Sequence, residues 1–409
     1  MKFTQILYKQ HIGRQIKKLW YIKRERKIGD SMVEQHLSTL GIQVKDPLEI
    51  IVPKKELPRL EINFLKPKIV FDETHPDWKA RACLIFKDHN VLQQGVQQAQ
   101  ILTNTVCLSQ SFSNYIQDPL PHLPEYIDDV VKRAFYTSNI FDASQELLQK
   151  RKDPKRPAWV FPRDYGITEC RKMRNLSRKF LQICESLSGL DIAQKRYVLY
   201  DGITQLNLEK ESNLIQFILR SDVMVMSASP LKPVENSNSN RKMELPNIHP
   251  MHYTISLNET NFYTTEDIYP VTTTSPWINA HTIFVHYDPV EVKNLTGLSV
   301  TEDQIISRSM IKSYTIAASC ARQRFGSSVK KLPEPITVQC IQLDGKNYHF
   351  FVFQLNSLDA NDASVKNFWY TLPSSMLYKK AQYDNGRPVV EDYNPEVFRK
   401  ILAFYRNGN

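Results

Sequence analysis

One stretch of the chain combines clustered cations with aromatic rings, the residue types that bind nucleic acid. Residues 150–179 carry eleven basic and three acidic side chains. Clustered Lys and Arg bind phosphates because each contact releases condensed counterions. Trp159, Phe161 and Tyr165 lie between these cations, where a base could stack on a ring. The cations predicted to contact RNA are Lys150, Arg151, Lys152, Lys155, Arg156, Arg171, Lys172, Arg174, Arg178 and Lys179.

A proline-punctuated loop and an amphipathic helix must position these cations. The loop begins at Lys150, and a helix is predicted over residues 167–187, with Gly189 just past its end as a stop signal. At 100° per residue the helix cations share one face, and apolar residues such as Leu176 and Phe180 fill the opposite face. One side can then pack on a core while the other presents cations. The alternative is a solvated helix face with the aromatic residues in the core.

The first 30 residues form a second basic segment, with nine basic and two acidic side chains. No acidic residue precedes Glu25, and apolar residues recur near helical spacing. A basic, acid-poor, amphipathic N-terminus is typical of a mitochondrial transit peptide, so residues 1–30 are predicted to be one. The alternative is a basic helical arm that stays on the mature protein and binds nucleic acid. The whole chain has a formal net charge of +10, which leaves −5 on the residues outside the two basic segments.

Local motifs that mark common enzyme sites are missing from the sequence. It contains no nucleotide phosphate loop, no dinucleotide fingerprint, no nucleophile elbow and no zinc-protease motif. His249 and His252 stand three apart, but Pro250 favours a loop and no acidic or cysteine residue adjoins them, so no metal is predicted. No cofactor and no small-molecule substrate are predicted. An enzyme whose residues meet only in three dimensions stays an alternative.

Composition places the chain among ordinary globular proteins. It has 409 residues, of which 42% are hydrophobic and 23% charged, which excludes a wholly disordered or collagen-like chain. The longest stretch without charged residues, 89–117, is rich in glutamine, so no membrane span is predicted. The six cysteines include no C-x-x-C pair and are predicted to be reduced, mostly buried thiols.

The pattern of elements predicts an α+β fold, with a mixed, largely antiparallel sheet, packed helices and an extended N-terminal arm. Residues 31–80 are repeatedly interrupted by proline, which is typical of an arm that lies along a surface. Residues 81–409 are predicted to form the body. Within it, residues 227–250 are rich in Ser, Asn and Pro and are predicted to form a long loop.

A β-hairpin is the clearest local prediction. Residues 336–343 and 348–355 flank a turn that contains Asp344 and Gly345. The second strand is apolar on both faces, so it is predicted to be central and covered on both sides. Residues 223–226 are predicted to pair back on the preceding strand through a turn at 220–222.

Three helices are predicted from their capping residues. A capping box from Ser299 to Glu302 should open a helix that runs to residue 325. Asn394 followed by Pro395 should open the last helix. Asp142 is predicted to be the N-cap of a further helix.

Four stretches of the body carry a family resemblance, in order and spacing, over residues 80–408. They are ACLIF (82–86) with LQQGVQQA (92–99) and LTNT (102–105), the helix end AR (321–322) with FG (325–326), YHFFVFQLN (348–356) continuing to VKN (365–367), and FRKILAFY (398–405) with Gly408. Together they resemble the family of mitochondrial large-ribosomal-subunit protein thirty-seven. None of the four stretches is a catalytic signature.

This resemblance implies a non-enzymatic, structural constituent of the mitochondrial large ribosomal subunit in the matrix. The implied partners are the large-subunit rRNA and other large-subunit proteins. Pairing with the related paralogue formerly called mitochondrial small-subunit protein thirty is an expectation from the same resemblance. A mitochondrial RNA-binding regulator and an enzyme with a non-local active site are the alternatives.

Overall fold

The computed structural model describes residues 33–45, 72–108, 123–150, 153, 155–235, 244–295, 297–362, 364–385 and 387–408. By their internal contacts the residues divide into two units, Met1–Ile69 and Val70–Asn409. In the first unit the described helix is α1 (Val33–Thr39), which is followed by Gly41 at a φ of +76°. The predicted transit peptide at 1–30 and most of the predicted arm at 31–80 lie outside the described residues.

The second unit alternates helices with strands. Its described helices are α2 (Gly95–Thr103), α3 (Ile127–Asn139), α4 (Glu169–Ser188), α5 (Leu190–Ala193), α6 (Glu302–Phe325) and α7 (Pro395–Arg406). Its described strands are β1 (Trp78–Lys87), β2 (Thr105–Leu108), β3 (Glu146–Leu147), β4 (Tyr165–Gly166), β5 (Arg196–Lys210), β6 (Asn213–Ser227), β7 (Asn258–Phe262), β8 (Asn279–His286), β9 (Lys331–Leu343), β10 (Asn347–Ser357), β11 (Asn367–Thr371), β12 (Ser375–Met376), β13 (Lys380–Asp384) and β14 (Arg387–Glu391).

Ten of the described strands form one mixed sheet. Its order is β2-β11-β10-β9-β8-β6-β1-β7, with β5 paired to β6 and β12 paired to β10. Among these described strands, β1–β6, β2–β11 and β8–β9 pair in parallel, and the other pairings are antiparallel. The prediction of an α+β fold with a mixed, largely antiparallel sheet is confirmed.

Helices cover both faces of this sheet. One core contains side chains of α2 and α6, including Leu102 and Tyr314, and the other contains side chains of α3, α4 and α7, including Phe180 and Phe398. Strand β10 contributes Phe351 and Phe353 to the first core, while its alternate residues face the second. Because successive side chains of a strand point to opposite faces, a strand covered on both sides must be apolar throughout. The predicted central strand is confirmed.

The hairpin of β9 and β10 is also confirmed. Its register pairs Leu343 with Tyr348. Asp344 accepts hydrogen bonds from the backbone nitrogens of Lys346 and Asn347 at 2.8 and 2.6 Å, and Gly345 has a φ of +92° that favours glycine. The Asp-Gly pair in the sequence indicated both features, the local hydrogen bonds of Asp344 and the left-handed backbone at Gly345.

Both ends of α6 and the start of α7 lie at the capping residues predicted from the sequence, except that the start of α6 is shifted by two residues. Helix α6 ends at Phe325, before Gly326, as predicted. Its capping box uses Thr301 and Gln304 rather than Ser299 and Glu302. Both pairs have the required spacing of three, so the pattern alone left the register open. Helix α7 begins after Asn394, whose side chain accepts a hydrogen bond from the backbone nitrogen of Glu396.

Two local predictions are wrong. No helix follows Asp142; the chain continues as extended backbone into β3, and the carboxylate of Asp142 accepts hydrogen bonds from Arg171 instead. Residues 220–222 do not form a turn, because β6 runs straight through them, and the chain turns instead at Glu211 and Ser212, whose φ angles are +46° and +68°.

At residues 220–222 of β6 the neighbouring strand on one edge changes from β1 to β8, and we call this point the fork of the sheet. Strand β5 takes one edge of β6 along its whole length. On the other edge, β1 pairs with residues 214–218 and β8 pairs with residues 223–227. The carboxyl ends of β1 and β8 therefore approach each other from opposite directions. Backbone groups between them need partners that are not strands.

Two cations from α6 fill this fork. The Lys312 ammonium lies 2.7 Å from Asp88 Oδ1 and donates to the carbonyl of Arg220, also at 2.7 Å. Arg308 donates to the carbonyl of Asp88 at 2.9 Å. Lys312 is only 2% exposed, and burial lowers the pKa of Arg308. Burial raises the pKa of Asp88, but the Lys312 and Arg308 charges outweigh it and hold that pKa below its usual value.

The cysteines are free thiols. Cys83, Cys184, Cys320 and Cys340 are buried, which confirms the prediction of mostly buried positions. Burial raises the pKa of Cys340 to about 12 and that of Cys83 to about 11. These thiols are therefore protonated at neutral pH and are poor nucleophiles.

Candidate nucleic-acid interface

The basic, proline-punctuated loop is closed at its base by a short ladder of two strands. Strands β3 and β4 pair Glu146 with Gly166 and Leu147 with Tyr165, and the nitrogen of Leu148 donates to the carbonyl of Asp164 at 2.8 Å. The basic loop is defined as residues 148–164. The ladder and this hydrogen bond hold the two ends of the loop together.

Two consecutive turns present Trp159 at the surface of this loop. The nitrogen of Arg156 donates to the carbonyl of Asp153, and the nitrogen of Trp159 donates to the carbonyl of Arg156, both at 3.0 Å. The Arg156 guanidinium lies over the indole, 4.7 Å from the ring centroid. Phe161 lies beside the indole with centroids 6.1 Å apart. Trp159 nevertheless remains 60% exposed.

Three cations among the described residues of the loop point into solvent. Lys150, Lys155 and Arg163 are exposed and form no ion pair with another described residue. Arg151 and Lys152, also predicted to contact RNA, lie outside the described residues. Arg163 was missing from the predicted contacts. The β3–β4 ladder holds the segment that contains Arg163 next to the segment that leads to Lys150. Strands of only two residues leave no periodic pattern in a sequence, so the sequence did not reveal this pairing.

Helix α4 has the predicted extent but uses most of its cations internally. Arg171 forms an ion pair with Asp142, which also accepts a hydrogen bond from Asn175 at 2.8 Å. The hydrogen bond from Arg171 is the main reason that the pKa of Asp142 falls to about 2. The pair links the helix to the segment that precedes the basic loop.

Three further cations of α4 also have partners in the chain. Lys172 pairs with Glu169 one turn earlier at 2.6 Å. Arg174 pairs with Asp201 and lies over the ring of Tyr200, 5.9 Å from its centroid. Lys179 donates to the hydroxyl of Thr137 at 2.7 Å, and burial lowers the pKa of Lys179.

Arg178 is the exception on this helix. It is exposed and has neither an ion pair nor a side-chain hydrogen bond among the described residues. The structure therefore gathers one set of solvent-facing cations in the basic loop and leaves Arg178 as the open cation of α4. The other helix cations that were predicted to contact RNA already have acidic or hydroxyl partners.

Over the described ranges, no group of three or more His, Cys, Asp or Glu side chains is placed to hold a metal ion. No helix in the same part of the chain is both long and apolar enough to cross a membrane. The chemistry that this region offers is binding of anions and aromatic bases.

A three-layer α+β body that displays a basic, aromatic loop is a candidate nucleic-acid-binding protein. No protein-family model matches the chain. The chain is 26% identical over 353 residues to large ribosomal subunit protein mL37 of Bos taurus, which covers 82% of this chain and 78% of that protein. The same protein of Rattus norvegicus is also 26% identical, over 81% of this chain and 77% of its own. That of Gallus gallus is 24% identical over 82% and 76%.

These matches extend over most of both chains and recur in several vertebrates. Over most of its length the chain is similar to the mL37 proteins. The family resemblance inferred from the four stretches of the body is confirmed.

Proposed function

We propose that this protein is a structural constituent of the mitochondrial large ribosomal subunit. One observation carries the proposal: over 353 residues the chain matches proteins that are named large ribosomal subunit protein mL37. Its role is structural rather than catalytic. It supports mitochondrial translation by holding proteins and rRNA together.

The N-terminal segment supports a mitochondrial location. Residues 1–30 have the basic, acid-poor composition of a transit peptide. We propose that they direct import into the matrix, that residues 31–80 form an arm along the ribosomal surface, and that 81–409 form the body. N-terminal sequencing of the protein recovered from mitochondria tests the first point. A mature chain that still begins at Met1 would contradict it.

Most contacts of the body are proposed to be with proteins. Outside its two basic segments the chain carries a net charge of −5, which disfavours burial in phosphate-rich RNA. Other large-subunit proteins, among them the paralogue formerly called small-subunit protein thirty, are the proposed neighbours. Crosslinking of assembled subunits followed by mass spectrometry tests this pairing.

The rRNA contact is proposed to be centred on the basic loop. Lys150, Lys155 and Arg156 present their charges to solvent there, and Arg178 does so on α4. Arg151 and Lys152 belong to the same proposal by sequence position. Arg171, Lys172, Arg174 and Lys179 remain in the proposed set, although each would have to share its charge with a partner in the chain.

Sedimentation tests the proposed function directly. The protein, tagged in mitochondria, should comigrate with the large subunit on sucrose gradients at both moderate and high salt. An integral subunit with a large protein interface resists salt, whereas an RNA-binding regulator held mainly by phosphates dissociates. A salt-labile or slowly sedimenting protein would contradict the proposal.

Charge reversal tests the proposed RNA contact. Changing Lys150, Lys155 and Arg163 together to Glu should reduce incorporation into the large subunit while the protein stays folded. The matched control changes Lys195, Lys293 and Lys331 to Glu, since these cations are also exposed but lie elsewhere. Equal incorporation of both triple variants would contradict a specific role for the loop.

A further inference from the structure

We propose that the basic loop binds an unpaired stretch of RNA, with one base stacked on the open face of the Trp159 indole. The surrounding cations then contact the phosphates on either side of that base. This inference deepens the proposed function, which makes ribosomal RNA the ligand. It adds that the RNA must be single-stranded at this point.

The geometry of the indole is the first argument. Arg156 lies over one face of the ring at 4.7 Å, and Phe161 lies beside it. Because 60% of the residue remains exposed, the ring has surface left on which a base can stack. A guanidinium on one face and a base on the other is a stack that buries apolar area and adds a cation–π interaction.

The hydrogen bonding of the backbone around Trp159 is the second argument. The two turns at 153–156 and 156–159 fix the backbone of Trp159, and the β3–β4 ladder closes the loop. The backbone nitrogen of Lys155 also donates a hydrogen bond to the Asp153 carboxylate at 2.9 Å. A binding surface that is already ordered loses less conformational entropy on binding.

The charge around the ring favours RNA over a protein partner. Residues 148–164 contain six basic and two acidic side chains. The centres of protein–protein interfaces are depleted of charged residues, whereas single-strand-binding proteins combine cations that follow the backbone with rings that stack on bases. Val160, within the loop, and Tyr165, next to its end, are 79% and 71% exposed and add accessible apolar surface to this region.

An indole in this position can reach bases only where they are unpaired. Bases in an A-form duplex are stacked on one another, and the deep, narrow major groove excludes side chains. A base in a loop or a bulge can leave its stack and lie on the ring. The cations alone would contact a duplex equally well, so Trp159 is the residue that separates the two ligands.

The experiment compares two RNAs of equal length by fluorescence anisotropy. The purified full-length protein is titrated into a labelled single-stranded 12-mer and into a labelled 12-base-pair duplex. Trp159→Ala should weaken single-strand binding by roughly 5- to 150-fold, the equivalent of about 1–3 kcal/mol of stacking per base. Duplex binding should change by less than about 2-fold. Trp159→Phe should recover part of the single-strand affinity because it restores an aromatic face.

A matched control removes another exposed aromatic ring. Tyr126 is 63% exposed but lies among acidic residues, so Tyr126→Ala should leave both affinities unchanged. Equal losses of single-strand and duplex binding in Trp159→Ala would overturn the inference, as would no loss at all. Binding of a labelled poly-glutamate peptide through Trp159, without RNA binding, would assign the loop to an acidic protein instead.

Failure of this inference is separable from failure of the proposed function. Comigration of the wild-type protein with the large subunit tests the latter and does not depend on Trp159. A protein that comigrates but shows no preference of Trp159 for single strands retains its ribosomal role and loses the stacking site.

Discussion

The cations of α6 and those of the basic loop carry the same charge in opposite surroundings. Lys312 and Arg308 are almost fully buried and bind a carboxylate and backbone carbonyls at the fork of the sheet. Lys155 and Arg163 are exposed, with no ion-pair partner in the described part of the chain. Lys312 and Arg308 have partners within the fold, whereas Lys155 and Arg163 are available to bind a ligand. Composition counts both alike, so only burial shows which cations are available.

Helix α4 lies between these extremes. Its apolar side packs into a core, and its cations other than Arg178 have acidic or hydroxyl partners, some of them in neighbouring segments. These half-buried pairs join the segment around Asp142 and strand β5 to the helix. We expect the stability effects of removing a cation to fall in the same order, from the fork to α4 to the loop.

The largest effect is expected for Lys312→Met. The change keeps a long apolar side chain but leaves Asp88 without its closest cation and the Arg220 carbonyl without its donor. Breaking a buried pair by removing one partner costs about 3–5 kcal/mol. Urea unfolding followed by circular dichroism measures the loss. Adding Asp88→Asn should restore part of it, because the unpaired charge is then gone. A Lys312→Met protein as stable as the wild type would show that the fork does not need its cations.

The fork should also make stability depend on pH through His286. Burial is the main cause that lowers the pKa of His286, and the nearby Lys312, Arg174 and Arg220 lower it further against the opposing effect of Asp222. The unfolded state therefore binds a proton near pH 6.5, before the folded state does. Stability should be complete above about pH 6.5 and decrease as the pH falls below it.

Urea midpoints of the wild type and of His286→Gln between pH 5 and 8 test this expectation. Gln can keep a hydrogen bond to Ser177, which lies 3.0 Å from the imidazole, but does not titrate. The difference in stability between the two proteins should shrink as the pH falls. A constant difference would mean that His286 does not contribute to the pH dependence.

An intermediate effect is expected for Arg171→Met on α4. The pair with Asp142 is bidentate, so its loss should lower the urea midpoint, although by less than the loss of Lys312 at the fork. The same substitution at Arg178, which lacks a partner among the described residues, is the control and should change stability by less than about 0.5 kcal/mol. Equal costs at the two positions would remove the distinction between engaged and open cations on this helix.

The smallest effect on stability is expected in the basic loop. Lys155→Met should alter the free energy of unfolding by less than about 0.5 kcal/mol, since Lys155 is exposed. Its effect should appear in binding instead. If Lys155 contacts one phosphate, Lys155→Met should make the plot of log affinity against log salt for single-stranded RNA less steep, by about 0.7 in the magnitude of its negative slope. An unchanged slope would exclude Lys155 from the contact.

The success of the sequence predictions followed the range of the interactions involved. The β9–β10 hairpin and the ends of α4, α6 and α7 depend on residues within a few positions, such as Gly345 and Asn394, and these were predicted. Asp142 shows the limit. Its side chain is suited to an N-cap, but an arginine 29 residues later takes it as an ion-pair partner. A capping preference is only about 1 kcal/mol, so tertiary contacts of similar size can override it.

The sequence by itself determined the α+β pattern of elements, the two basic segments and the resemblance to mL37 proteins. These follow from periodicity, local capping and residue identity, which do not require the chain to be folded. Only the tertiary structure decided which cations have partners in the chain and which remain exposed to a ligand. Pairing β1 and β8 on one edge of β6 created a fork that takes up Lys312 and Arg308, and packing α4 against neighbouring segments took up Arg171 and Arg174. The physical reason is that the availability of a charge depends on its distance from partners far away in the chain, and only the fold sets those distances.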